Sequence, residues 1–393
     1  MSVFAPQVRI ACGDALTMLR REPAGSVDCC VTSPPYWGLR DYGLPPTVWG
    51  GDLECAHDFS VASASRGMSG GVGNGTLHGS QQGDRKGGDL RFSPAASAFC
   101  ARCGAWRGCL GLEPTPDLYV AHLVDVFREV RRVLRDDATA WLNLGDSFAA
   151  SRSHQVRDSK HVDAGNSMAA AAPPGLKPKD LVGIPWRVAF ALQADGWYLR
   201  SDIVWAKTAP MPESVRDRPT RAHEFVFLLS KSAKYWYDAD AIREPHATGG
   251  HWRASSHELH APGQKPQRGI RRAKTATTPH LAGRRQAPEP GEPNAFHTLG
   301  RNARDVWTLG PDPYPGAHFA TFPAELARRC ILAGCPEGGT VLDPFGGSGT
   351  VGAVAARHGR NAVLFDLKPD YCAMARRRVW PEAQPRLRLA LGD

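Results

Sequence analysis

Thr340-Val341-Leu342-Asp343-Pro344-Phe345-Gly346-Gly347-Ser348-Gly349-Thr350 is the stretch that decides the fold. Its first residues read as a buried strand, and Val351 to His358 read as the helix that follows. The glycines between them let the backbone approach a ligand closely. A second apolar run, Ala362-Val363-Leu364-Phe365, ends in Asp366. An acid at the end of that strand can hold a ribose diol. Strand, glycine-rich turn, helix and strand together predict an α/β protein with a parallel sheet. The pattern is Asp-x-Phe-x-Gly-x-Gly, distinct from the Gly-x-Gly-x-x-Gly of dinucleotide-binding turns.

A second anchor lies near the other end of the chain. Val27-Asp28-Cys29-Cys30-Val31-Thr32 reads as a buried strand, and Ser33-Pro34-Pro35-Tyr36-Trp37 stops it abruptly. Proline has no N–H for a sheet ladder, so the chain must leave the sheet there. The result is a stiff strand-end loop offering a hydroxyl, a carbonyl and an aromatic face. Such a loop suits a planar, amine-bearing ligand such as a nucleobase. Upstream, the strand Val8 to Cys12 leads to Gly13-Asp14-Ala15-Leu16, where Asp14 can cap a helix running to about Arg21 or accept a hydrogen bond from a ligand amine.

The chain has 393 residues, is 42% hydrophobic and 22% charged, and carries a net charge of +9. Those values fit a soluble globular protein, and the positive balance favours a polyanionic partner. No apolar run is long enough for a membrane span, and no secretion signal is visible, so a cytoplasmic protein is expected. Ten cysteines in such a chain do not read as a disulfide framework.

Between the anchors the chain divides unevenly. Residues 60–88 are rich in Gly and Ser and read as a mobile insertion. Cys55-Ala56-His57 precedes it, and Cys100-Ala101-Arg102-Cys103-Gly104 follows it. A Cys-x-x-Cys-Gly knuckle joined by a Cys-x-His pair predicts one structural zinc held by Cys55, His57, Cys100 and Cys103, with Cys109 as a substitute ligand. A helix starts at Thr115-Pro116-Asp117, with Leu118, His122, Val126 and Val130 on its apolar face. Ala138 to Leu144 reads as a strand, and Gly145-Asp146-Ser147-Phe148 as a second polar strand-end loop. Residues 149–178 again read as flexible. A helix from about Pro185 to Ala194 and the strands Tyr198–Trp205 and Phe225–Leu229 follow. Residues 241–304 hold eleven Lys and Arg against four Asp and Glu, and six of the fourteen His. Such a segment can bind phosphates and order on contact.

Ser-Pro-Pro-Tyr near the start and Asp-Pro-Phe-Gly-Gly-Ser-Gly-Thr near the end, in that order, resemble the amino-methylating DNA methyltransferases of the permuted, beta class. The resemblance implies an α/β, Rossmann-like S-adenosylmethionine-dependent fold, circularly permuted, with an inserted zinc knuckle and a target-recognition segment. Residues 1–52 are then the part carrying the catalytic loop, 53–112 the zinc-bearing insertion and 113–240 the continued catalytic domain. Residues 241–304 become the target-recognition region and 305–393 the cofactor-binding part. By position, Asp343, Phe345, Gly347, Gly349 and Thr350 resemble the cofactor loop. Asp366 resembles the ribose-binding acid and Asp14 the acid near the cofactor's adenine. Phe319, Thr321, Phe322 and Pro323 resemble the motif that closes over the methionine end. Ser33, Pro34, Pro35 and Tyr36 resemble the catalytic motif. Members that methylate adenine N6 usually carry Asp or Asn where Ser33 stands, whereas Ser is typical of cytosine N4 enzymes.

The implied reaction is methyl transfer from S-adenosylmethionine to the N4 amine of a cytosine flipped out of double-stranded DNA. The implied setting is the cytoplasm or nucleoid of a bacterium or archaeon, or a phage, as part of restriction-modification. A homodimer and a cognate restriction endonuclease are both compatible with it; a membrane partner is not. The competing readings are an adenine-N6 enzyme of the same fold and a non-catalytic, zinc-containing DNA-binding protein. A nicotinamide-dependent oxidoreductase fails on motif order and glycine pattern.

Overall fold

The computed structural model describes residues 5–39, 41–60, 97–149, 172–173, 175–245, 300–310, 312 and 322–383. Of the segments expected to be mobile, 60–88 and 149–178, all but residue 60 of the first and most of the second lie outside these residues, as do 246–299 of the basic region and the two site residues Phe319 and Thr321. The chain divides into two compact units, one of residues 1–237 with 305–393 and one of residues 238–304.

The larger unit is built on an eight-stranded sheet in the order β1-β10-β9-β2-β5-β7-β6-β8. Its strands are β1 (Val8–Cys12), β2 (Val27–Thr32), β5 (Leu134–Leu144), β6 (Tyr198–Lys207), β7 (His223–Ser230), β8 (Val306–Leu309), β9 (Thr340–Asp343) and β10 (Asn361–Asp366). The last two strands of the chain lie between the first two, pairing Ile10 with Leu364 and Cys30 with Leu342. That interleaving makes the fold circularly permuted. From β1 to β5 the sheet is parallel, and only β7 runs antiparallel to its neighbours β5 and β6. β2, β9 and β10 are buried on both faces, which is why their sequences are nearly continuous apolar runs.

Among the described residues, six α-helices cover the sheet. α1 (Ala15–Arg21), α2 (Pro116–Val133) and α3 (Ile184–Ala194) pack with one another, and so do α4 (Ala324–Gly334), α5 (Thr350–Arg357) and α6 (Pro369–Ala383). Strand alternation assigns the two sides. Cys30, Leu142 and Leu144 join the core formed with Tyr119, Phe127 and Val188 of α2 and α3. Cys29 and Trp141 point the other way, onto α4. There Gly334 is required, since a Cβ would come within 2.4 Å of Trp141 Nε1. α2 begins where the sequence places it, with Thr115 accepting from Leu118 N at 3.2 Å and proline at the first turn. Its fully buried Leu, Val and Phe side chains each stabilise the fold by about 1.5–3 kcal/mol. No helix among the described residues is long and apolar enough to cross a membrane.

The sequence reading does not anticipate the antiparallel hairpin β3 (Thr47–Trp49) with β4 (Trp106–Gly108), the edge strand β8, α6, or a 3-10 turn at Asp240–Ile242. The hairpin brackets the Gly- and Ser-rich stretch, so part of the insertion is folded.

The smaller unit is described at its two ends. Glu244 and Arg301 exchange backbone hydrogen bonds of 2.9 Å, and the Glu244 carboxylate lies 3.0 Å from both Arg301 and Arg304. Arg243 bonds Asp240 at 2.6 Å and Asn302 at 2.9 Å. Gly300 has φ +106°, and a Cβ there would meet the Glu244 carbonyl at 2.3 Å. Ion pairs and a close backbone approach thus close the neck of the basic segment.

Candidate active site

The sheet order reverses direction between β9 and β2, so a crevice opens beyond their carboxyl ends. Both sequence anchors emerge there. Thr32, the last residue of β2, donates its hydroxyl to Asp343, the last of β9, at 2.7 Å. That buried bond fixes the Ser33–Tyr36 loop against the glycine-rich turn. A cavity of about 360 Å³ occupies the crevice, the size of a small-molecule site.

One side of the cavity is made by the glycine-rich turn and its neighbours. Phe345, Gly347, Asp366, Asp14, Phe322 and Tyr371 line it. Gly347 has φ +48° and donates its N–H to Asp366 Oδ2 at 2.9 Å, while Lys368 N donates to Oδ1 at 2.8 Å. Burial raises the Asp366 pKa, and these two backbone N–H groups oppose the rise. Asp14 caps α1, accepting from Thr17 N at 2.9 Å, and it also lines the cavity.

Asp343, Gly349 and Thr350 are placed behind the wall. Asp343 is buried and accepts from Thr32 and from Phe345 N at 3.0 Å. Burial pushes its pKa up to about 7, with nearby Asp366 adding to the rise and the two hydrogen bonds opposing it. Gly349 caps α5 at φ +80°, where a Cβ would lie 2.8 Å from Ala375 of α6. Thr350 and Ser348 hydroxyls accept from Arg378 at 2.8 and 2.9 Å. Pro323 is the buried cap residue of α4.

The opposite side is the Ser33–Tyr36 loop, joined by side chains from three other strands. Ser33 Oγ donates to Tyr36 Oη at 3.2 Å. Tyr36 Oη lies 2.6 Å from Glu224 Oε2 and 3.0 Å from Asn143 Oδ1, and its single proton goes to the carboxylate, the stronger acceptor. Lys207 Nζ and Asn143 Nδ2 complete the Glu224 carboxylate at 2.5 and 3.1 Å. Burial and Glu224 hold the Tyr36 pKa well above the usual phenol value, so the hydroxyl stays protonated. Pro34 and Pro35 line the cavity, and the Pro35 carbonyl accepts from Tyr119 Oη at 2.7 Å. Gly145 permits the ring to lie where it does, since a Cβ there would come within 2.6 Å of Tyr36 Cε2.

Glu224, Lys207 and Asn143 are functional candidates that the sequence did not reveal. They lie on β7, β6 and β5, and only the pairing of those strands gathers them. Asp146, in the second polar loop, instead anchors α3: its Oδ1 accepts from Gly183 N and Ile184 N at 2.9 and 3.0 Å.

Cys55, His57, Cys100 and Cys103 do come together, their ligand atoms all within 4.8 Å of one another. Cys109 does not join them; it donates to the Leu44 carbonyl at 3.3 Å and lines the cavity.

Comparison with known proteins agrees with this geometry. The model of the DNA methylase family matches residues 27–377. The Type II methyltransferase M.Cfr9I of Citrobacter freundii is 38% identical over 96% of this chain and 89% of its own. M.SmaI of Serratia marcescens is 37% identical over 94% of this chain and 90% of its own. In fold, PvuII DNA methyltransferase (cytosine-N4-specific) matches with a TM-score of 0.50 at 16% identity, covering 95% of this chain and 88% of its own. The donor set on the glycine-rich side fits S-adenosylmethionine: carboxylates for hydroxyls and amines, and rings for a purine. The chain belongs to the DNA methylase family, as an S-adenosylmethionine-dependent DNA methyltransferase.

Proposed function

We infer that the methylated atom is the exocyclic N4 of a cytosine flipped out of double-stranded DNA. The observation that supports an exocyclic amine as the target is the hydrogen-bond chain Ser33 → Tyr36 → Glu224, and the serine at position 33 supports the choice of cytosine. The Ser33 proton is committed to Tyr36, so Ser33 shows its lone pairs to the cavity. It is therefore an acceptor, suited to an amine. Accepting the amine's hydrogen localises electron density on nitrogen, whose lone pair is otherwise delocalised into the ring. The Pro34 carbonyl on the same wall is the second acceptor, and the Tyr36 ring is the stacking face. Such stacking contributes about 1–3 kcal/mol per base.

Bound S-adenosylmethionine supplies an electrophilic methyl group on sulfur. The chain's residues hold the amine in line with it, so that the N–C bond forms as the S–C bond breaks and its electron pair stays on sulfur. The nitrogen then releases its proton towards Ser33 or solvent. Positioning supplies most of the rate, and no strong base is required. Ser33, in place of an acidic or amide residue, supports cytosine over adenine. Residues 241–304, with their basic excess, are the target-recognition region. The enzyme works on the nucleoid in the cytoplasm, alongside a restriction endonuclease of the same site, either alone or as a homodimer.

The test is to incubate the protein with unmethylated DNA and S-adenosylmethionine, digest to nucleosides and identify the product by mass spectrometry. N4-methylcytosine is expected. N6-methyladenine would retain the chemistry and refute the choice of base.

A further inference from the structure

We propose that Cys55, His57, Cys100 and Cys103 bind one zinc ion, and that this ion holds the outer wall of the cavity in which the target base is methylated. The proposal rests on reading that cavity as the base site.

The four ligand atoms lie within 4.8 Å of one another, close enough to converge on one ion. Zn–S bonds of about 2.3 Å give S···S edges of about 3.8 Å, with S···N edges somewhat shorter. Here Cys55 Sγ and Cys100 Sγ are 4.0 Å apart, and Cys103 Sγ and His57 Nδ1 are 3.3 Å apart. Asp58 N and Arg102 N point at Cys100 Sγ from 3.3 and 3.4 Å, the N–H donors that a metal-bound thiolate accepts. Gly104, at φ +74°, turns the knuckle, and its N–H closes on the Cys100 carbonyl at 3.0 Å. Four protein ligands leave no open position, so the ion is structural.

The local fold needs such a staple. β3 and β4 have three residues each, and around them Leu53 is 75% exposed and Phe99 41% exposed. A segment with so small a core is not held by packing alone. Yet it is docked against the catalytic loop. Trp49 and Trp106 lie 5.3 and 5.6 Å from the buried His122 ring of α2. Gly38 N donates to the Gly111 carbonyl at 2.7 Å, and a Cβ on Gly111 would meet the Tyr36 carbonyl at 3.1 Å. Leu44, Thr47, Trp49, Leu110 and Leu112 from this segment line the cavity. The glycine-rich side is built by β9, α5 and β10. Losing the ion should therefore loosen the base side and spare the cofactor side.

The experiment measures zinc in the purified full-length protein by emission spectroscopy, then strips it with a chelator under reducing conditions. About one zinc per chain is expected, lost in Cys100→Ser and Cys103→Ser and kept in Cys109→Ser. Stripped wild-type protein should bind S-adenosylmethionine with affinity unchanged within about twofold, transfer methyl groups to DNA at least about tenfold more slowly, and recover on adding zinc. Protein that neither contains nor takes up zinc, that carries a Cys100–Cys103 disulfide, or that methylates at full rate when stripped would overturn the proposal. If the zinc-loaded protein binds S-adenosylmethionine but modifies no DNA, the base-site reading fails and the zinc stoichiometry still stands on its own.

Discussion

The two sides of the cavity are built by different means. The cofactor side is made largely of backbone: a glycine-rich turn, N–H groups aimed at Asp366, and a helix start whose left-handed Gly349 lets α6 pack close. Most of it comes from one continuous stretch of chain. The base side is a side-chain network, with Ser33 and Tyr36 from the loop after β2 and Asn143, Lys207 and Glu224 from three further strands that only the folded sheet gathers. A backbone cradle grips a cofactor that never varies. A network of oriented side chains can fix which atoms show lone pairs to a base. The two sides should accordingly fail in different ways.

The largest expected effect is on the base side. Ser33→Ala removes the acceptor that meets the amine, and turnover should fall by about 10²–10³-fold, the usual cost of one preorganised polar group at a reacting centre. S-adenosylmethionine affinity, measured by calorimetry, should stay within about twofold. Full turnover in this variant would remove the catalytic loop from the mechanism. Next comes Glu224→Gln. An amide can offer Tyr36 a donor where the carboxylate offered only acceptors, and it releases Lys207. Turnover should drop about 10–100-fold, as for the partner of a residue in direct contact, with cofactor affinity again unchanged.

Asp366→Asn inverts the pattern. It weakens a charged acceptor on the cofactor side, a loss of about 1.5–3 kcal/mol or roughly 10–150-fold in affinity. Turnover at saturating S-adenosylmethionine should be largely kept. Loss of turnover with unchanged affinity would show that the two sides are not separable.

The smallest effect on turnover is expected at Asp343, which is buried behind the cavity wall. Its folded pKa, about 7, is raised above that of the unfolded chain. The native state then binds the extra proton, so stability is highest below the unfolded value of about 3.9 and declines as pH rises through about 7. Asp343→Asn keeps an acceptor for Thr32 and should remove most of that slope from the thermal midpoint between pH 4 and pH 8. An identical slope in the variant would assign it to another group.

The contrast also explains what the sequence could reveal. β2, β9 and β10 were legible because strands buried on both faces must be apolar, and a proline pair or a glycine run must then end them. α2 was legible from its period and its Thr115-Pro116 start. The cofactor side was legible because its parts are neighbours in the chain. Glu224 and Lys207 were not, because pairing registers such as Trp205 with Glu224 exist only in the folded sheet. The β3–β4 hairpin was missed because three-residue strands carry no periodic signal, and their partner lies beyond a long Gly- and Ser-rich stretch. The edge strand β8, Val306-Trp307-Thr308-Leu309, is too short to stand out from its polar surroundings.

The most direct measurement is single-turnover methyl transfer by Tyr36→Phe, with S-adenosylmethionine pre-bound and DNA added. The substitution keeps the ring for stacking and removes only the hydroxyl that links Ser33 to Glu224. An unchanged cofactor affinity with a transfer rate lowered at least about tenfold is expected. A wild-type rate would show that the hydrogen-bond chain does not orient Ser33, and that the base side works by shape alone.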